Sequence, residues 1–391
     1  MQNKIKQKEN KKEKNIQSSH PVLTFFKRRS VVITSVLIVF SVISWILIAG
    51  LVDASQVRWS YLFSDQNILP ALTDGNATES TGEAIVTIPE RLLDGVIVEE
   101  SETAHWPVAV MIENLLSVRP QAGLSDASVV YEALAEGGTT RFMVLFDPQS
   151  ISTEKIGPIR SARQYYIEWQ GEYDALYAHA GGSPIALTVI DEVEVKDLEA
   201  LSRDGVYFWR DTGRSAPHNL YTSAEKLELA LRDKELIDQK AEYETWIYED
   251  EKPIEERGKD GTRLTFNFSY GLTYKVSWEY NQANNSYRRF NADQPHTDEN
   301  TGKQLEAKNV IVQLTEEPVY DGTGKGRLNI YVGGTGDAWV ARNGELIKAT
   351  WKKDSRTDRT RFYDANDDEI TLVRGTTWVQ VITKTQDVLY E

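Results

Sequence analysis

The chain has 391 residues, 40% hydrophobic and 26% charged, which suffices for packed domains and is too apolar for wholesale disorder. The formal net charge is −15, but the first 52 residues hold nine Lys/Arg against two Glu, so the remainder, with 35 basic and 57 acidic residues, stands at −22 and repels phosphate backbones. There is no cysteine, which excludes disulfides, thiolate zinc sites, Fe–S clusters and cysteine nucleophiles, and five histidines make a His-rich metal site improbable.

Residues 1–30 read as a basic cytoplasmic tail, with Lys4 to Lys14 suited to anionic headgroups. Residues 31–52 run 22 positions without a charge. At 1.5 Å per residue they make roughly 33 Å of helix, enough to cross a hydrocarbon core. Val52-Asp53-Ala54 is a poor cleavage site, so an uncleaved single-pass anchor is expected. All the basic flank precedes the span, which puts the N-terminus in the cytoplasm and the bulk of the chain outside. Residues 53–104 read as a flexible stalk, because Leu72 to Glu83 is rich in Gly, Ser, Thr and acids.

From 105 to 236 the pattern predicts a mixed α/β domain. Pro107 to Ile112 is a short buried strand. Val129 to Leu134 and Arg141 to Phe146, joined through Glu136-Gly137-Gly138, predict a hairpin. A helix is expected to start at Ser161, a second at the Ser183-Pro184 cap, and a third at a Thr222 to Glu225 capping box. Residues 237–261 are acidic and Lys-rich and read as a linker. Beyond 262 the period becomes two, with Tyr274, Val276, Trp278 and Tyr280 alternating with polar residues. Residues 262–391 therefore predict a mostly antiparallel β-domain, a sandwich or open barrel. The fold class expected is α+β.

The polar residues of interest fall on loops of the first domain, at strand ends where sites concentrate. They occur in the segments Glu113 to Ala127, Ile156 to Arg163, His179 to Pro184, and Arg210 to Tyr221. Their order, RPQAGLSDASVVYEALAEGGTTRF, IGPIRSARQYY, HAGGSP and APHNLYTS, resembles the YerB-type family of bacterial extracytoplasmic proteins over roughly residues 104–385. The resemblance implies an N-terminal domain of unassigned function, a β-rich C-terminal domain and a location outside the cytoplasm. It transfers no reaction. The chain departs from the family's lipoprotein pattern in its anchor, because the lipid-bearing cysteine is replaced by the 31–52 span.

Arg160 and Arg163 at a helix start suit a bidentate anion, or else pair with Glu132 or Glu136. His218 is the general acid/base candidate, with Asp211 to orient it and Asn219 to polarise a carbonyl; otherwise it fixes its loop. Asn114, Arg119, His179 and Ser183 complete the candidate ligand-binding set, although Ser161 and Ser183 read more simply as caps. Asp364 to Glu369 fails the EF-hand pattern and reads as a solvated turn. No cofactor is expected. These residues suggest a membrane-anchored protein that binds an anionic or glycan component of the envelope. An envelope hydrolase or transferase using His218 with Arg160 and Arg163 is the alternative. A further alternative is a non-catalytic scaffold for a membrane protein partner.

Overall fold

The computed structural model of the protein describes residues 88–391, apart from Tyr270 and Thr323. The 1–30 tail, the 31–52 span and most of the expected stalk lie outside the described residues. Among the described residues no helix is long and apolar enough to cross a membrane.

The first half forms strands β1 (Val108–Glu113), β2 (Val129–Leu134) and β3 (Thr140–Phe146), then helix α1 (Gln164–Gly171). Strand β4 (Leu176–His179), helix α2 (Pro184–Glu192), strand β5 (Asp197–Glu199) and helix α3 (Ala224–Asp233) follow. Strands β1 and β2 are buried along their whole length, which is why they read as unbroken apolar runs. The expected hairpin is β2–β3. Its turn places Gly137 and Gly138 at φ of +67° and +70°, where a Cβ is strained.

Helix α2 starts as read, with Ser183 Oγ accepting from Ala186 N at 3.1 Å. The other two starts move. Residues 160–162 stay extended because their backbone pairs with 180–183, so Arg163 and not Ser161 precedes α1. Helix α3 is capped by Ser223, because the Thr222 hydroxyl donates to Tyr207 O at 2.8 Å.

The second half forms β6 (Arg263–Asn267), β7 (Lys275–Asn281), β8 (Ser286–Asn291), β9 (Asn309–Thr315), β10 (Gly334–Arg342), β11 (Glu345–Lys353), β12 (Arg361–Tyr363), β13 (Thr377–Thr383) and β14 (Leu389–Tyr390). In β7 the alternation holds except at Ser277: Val276, Trp278 and Tyr280 are buried and Lys275 and Glu279 reach solvent, but Ser277 is buried too.

The strands of the second half do not build a separate antiparallel sandwich or open barrel. Ten strands make one mixed sheet in the order β12-β11-β10-β9-β13-β2-β3-β1-β4-β5, half from each part of the chain. The seam is parallel: β13 lies between β9 and β2, with Val130 opposite Trp378 and Val310 opposite Trp378. Strands β8, β7, β6 and β14 form the core of a six-stranded sheet. The described residues form one compact unit. Segment 237–261 is folded into it, with Trp246 and Tyr248 buried and Tyr248–Glu249 pairing with Leu372–Val373. The end of the expected stalk is folded too: Leu93 is buried, and Asp94 accepts from the Ser128 hydroxyl at 2.6 Å.

Two buried ion networks join the halves. Glu132 and Arg289 form a pair whose side chains are both 0% exposed. Glu132 also accepts from Asn114 Nδ2 at 3.0 Å and from the Thr140 hydroxyl at 2.6 Å. The Arg289 guanidinium lies 4.8 Å from the Trp378 ring and 5.5 Å from that of Trp278. Elsewhere Glu172 accepts from Lys353 Nζ at 2.9 Å and from the Thr360 hydroxyl at 2.6 Å, and Arg359 packs over Tyr173.

Candidate functional site

Strands β1 and β2 both run antiparallel to β3 and so point the same way. Strands β4 and β5 follow β1, and β13 and β9 follow β2. Six strands therefore end on one edge of the sheet, at Glu113, Leu134, His179, Glu199, Thr315 and Thr383. In sheets with parallel strands that edge is where ligands bind. The four loop segments singled out from the sequence gather there.

Glu113, the last residue of β1, is the centre of the cluster. Its Oε1 is ion-paired with Arg160 Nη2 at 2.8 Å, and its Oε2 lies 2.8 Å from His218 Nδ1. Its carbonyl accepts from Gln121 Nε2 at 2.9 Å, which fixes the strand end. Arg160 Nη2 also sits 3.2 Å from His218 Nδ1, but a guanidinium donates only. A carboxylate at Nδ1 keeps that nitrogen as the donor, so the neutral ring presents an Nε2 lone pair outward. Arg160 and His218 side chains are 20% and 33% exposed, and Arg160 Nη1 and His218 Nε2 have no partner among the described residues. Arg160 Nε is buried without one. The cluster offers a positive charge and a proton acceptor side by side.

Asp211, expected to orient His218, does something else: it accepts from Lys155 Nζ at 2.7 Å and from Gly213 N, which holds its carboxyl below the ordinary range. Asn219 is occupied within its loop, accepting from Arg210 Nη1 and donating to the carbonyls of Asp211 and Arg214. Arg163 pairs with Glu136, together with Arg141. Burial alone would raise Glu136, and the two guanidinium groups outweigh it and hold its carboxyl below its usual value. Asn114 is buried in the Glu132 network, and Arg119 donates to Asn114 Oδ1 and packs over Tyr274. His179 is fully buried, between Asp197 Oδ1 at 2.7 Å and Gly181 O at 2.9 Å. Ser183 is the α2 cap. Of the eight residues read from the sequence, the structure brings Arg160 and His218 together and gives the other six partners of their own.

Glu113 opens one of the segments read from the sequence but was assigned no role, because an acidic residue closing an apolar strand has no motif. Arg289 and His296, from the second half, support the same region. His296 Nδ1 faces the Arg289 donor at 3.0 Å, so its Nε2 donates to Gln121 Oε1 at 2.8 Å. A cleft of ≈ 720 Å³, lined by Arg288, Lys303 and Lys308, lies away from the cluster. Two of its cations, Arg288 and Lys308, are paired with Glu279 and Glu251.

The fold belongs to a two-part protein family. Residues 93–237 match the N-terminal domain, and residues 264–379 the C-terminal domain, of the family described as protein of unknown function (DUF3048). The chain belongs to this YerB family. It is 30% identical over 292 residues to the putative lipoprotein YerB of Bacillus subtilis (strain 168), covering 74% of this chain and 85% of that protein. The crystal structure of the YerB protein from Bacillus subtilis superposes with a TM-score of 0.67 at 27% identity, over 77% of this chain and 99% of that one. The match to the two domains divides the sequence near 238–263, whereas the ten-stranded sheet runs across that division.

Proposed function

We propose that this is an anchored extracytoplasmic protein of the bacterial envelope that binds an anionic envelope component at Glu113, Arg160 and His218. The open Arg160 Nη1 beside the outward His218 Nε2 carries the reading. A guanidinium held by one carboxylate keeps donors for a second anion. In a body of −22 this local cation is the attraction that an anionic group meets at this edge.

The location is supported by the relative's description as a lipoprotein and by the uncharged 31–52 run. With no cysteine to carry a lipid, that run is the anchor, with the N-terminus inside. Thermal unfolding of the full-length protein with glycerol phosphate polymers and muropeptides tests the site. A ligand at 100 times its dissociation constant stabilises by about 2.7 kcal/mol. The shift should vanish in Arg160→Ala; a shift that survives there refutes the assignment.

The second reading, a hydrolase or transferase, is favoured by the Glu113–His218 contact, which orients His218 as a general base. Turnover of an envelope fragment lost in His218→Ala supports it, and turnover that persists removes His218 from the chemistry.

A further inference from the structure

A second cleft opens on the same carboxyl edge, beneath the hairpin that pairs Val319–Tyr320 with Leu328–Asn329. Its volume is ≈ 460 Å³, within the range of small-ligand sites. Tyr320 lines it and is 71% exposed, a large aromatic face presented to solvent. Phe268 closes the floor, and Gly137 leaves the turn side open, with no atom within 4 Å of where its Cβ would stand. The Ser269 hydroxyl and the Gln386 amide line the wall, and neither side chain has a hydrogen-bond partner among the described residues.

The chemistry of this lining differs from that of the Glu113 cluster. Glu317 is the only charged residue in it, so the cleft repels anions. A half-apolar, hydroxyl-rich ring suits it: the C–H face stacks on a phenol ring, and vicinal hydroxyls meet a side-chain amide and a carboxylate. We propose that this cleft is a carbohydrate subsite that stacks one neutral sugar ring on Tyr320. Leu134 at its margin and Glu113 end strands two steps apart in the sheet, or about 10 Å. One glycan chain therefore reaches both places.

The subsite stands independently of the anion reading, and the experiment separates them. Full-length protein is titrated calorimetrically with the neutral β-1,4-linked N-acetylglucosamine hexamer, with saturation-transfer NMR to locate the contact. Saturable binding is expected, roughly tenfold weaker in Tyr320→Ala and retained in Tyr320→Trp. Because Tyr320 is exposed, the alanine variant keeps its fold, which circular dichroism verifies. Arg160→Ala should bind the hexamer within a factor of two of wild type. Absence of saturable binding, equal binding by Tyr320→Ala, or loss in Arg160→Ala with Tyr320→Ala unchanged each overturns the subsite.

Discussion

Replacing Glu132 by Gln removes one charge from the interior without changing the side chain's shape. In the native protein Glu132 balances Arg289, and both side chains are fully buried. The glutamine carbonyl can still accept from Asn114 and Thr140. Its amide group, however, faces Arg289 Nη2 with a donor and leaves the guanidinium uncompensated among Phe142, Trp278 and Trp378. Breaking a buried pair from one side costs about 3–5 kcal/mol. Urea unfolding followed by tryptophan fluorescence measures this, since Trp278 and Trp378 flank the pair. Removing both charges in Glu132→Leu/Arg289→Met should cost less than the single change, because no charge is stranded. A Glu132→Gln loss below about 1 kcal/mol, or a double variant worse than the single, would refute the reasoning.

Burial first, then the charges of Arg289 and Arg119, push His296 well below its ordinary 6.5. The unfolded chain then binds a proton that the folded one does not. Stability is full above about pH 6.5 and falls by up to about 1.4 kcal/mol per pH unit below it; this slope should be absent in His296→Gln when urea midpoints are compared from pH 7 to 5. Glu113→Gln should leave the fold intact and change the His218 tautomer: an amide donor at Nδ1 moves the ring proton to Nε2, visible in 15N NMR of the imidazole. Unchanged nitrogen shifts would mean that Glu113 does not set the tautomer.

Local chemistry was legible in the sequence, and long-range pairing was not. The β2–β3 hairpin and the α2 start were readable because a Gly-Gly pair and a Ser-Pro cap act within four residues. The seam through β13 was not, because Val130 and Trp378 pair across 248 positions, and a buried parallel strand carries the same apolar run as an antiparallel one. Helix α1 was placed early because Ser161 carries a capping signal that the pairing with Gly181 overrides. At the site, Arg160 and His218 were found as polar loop residues. Their partner Glu113 lies 105 positions before His218 and is chosen by strand geometry alone.

The seam strand also sets the order in which this protein can become itself. Residues 377–383 are synthesised after the other nine strands of their sheet, yet they lie between the two groups of five and four strands that they join. A nascent chain that stops short of them holds two sheet fragments, each with an unpaired parallel edge and a buried-type apolar face exposed. The polypeptide therefore remains open until the seam has been made.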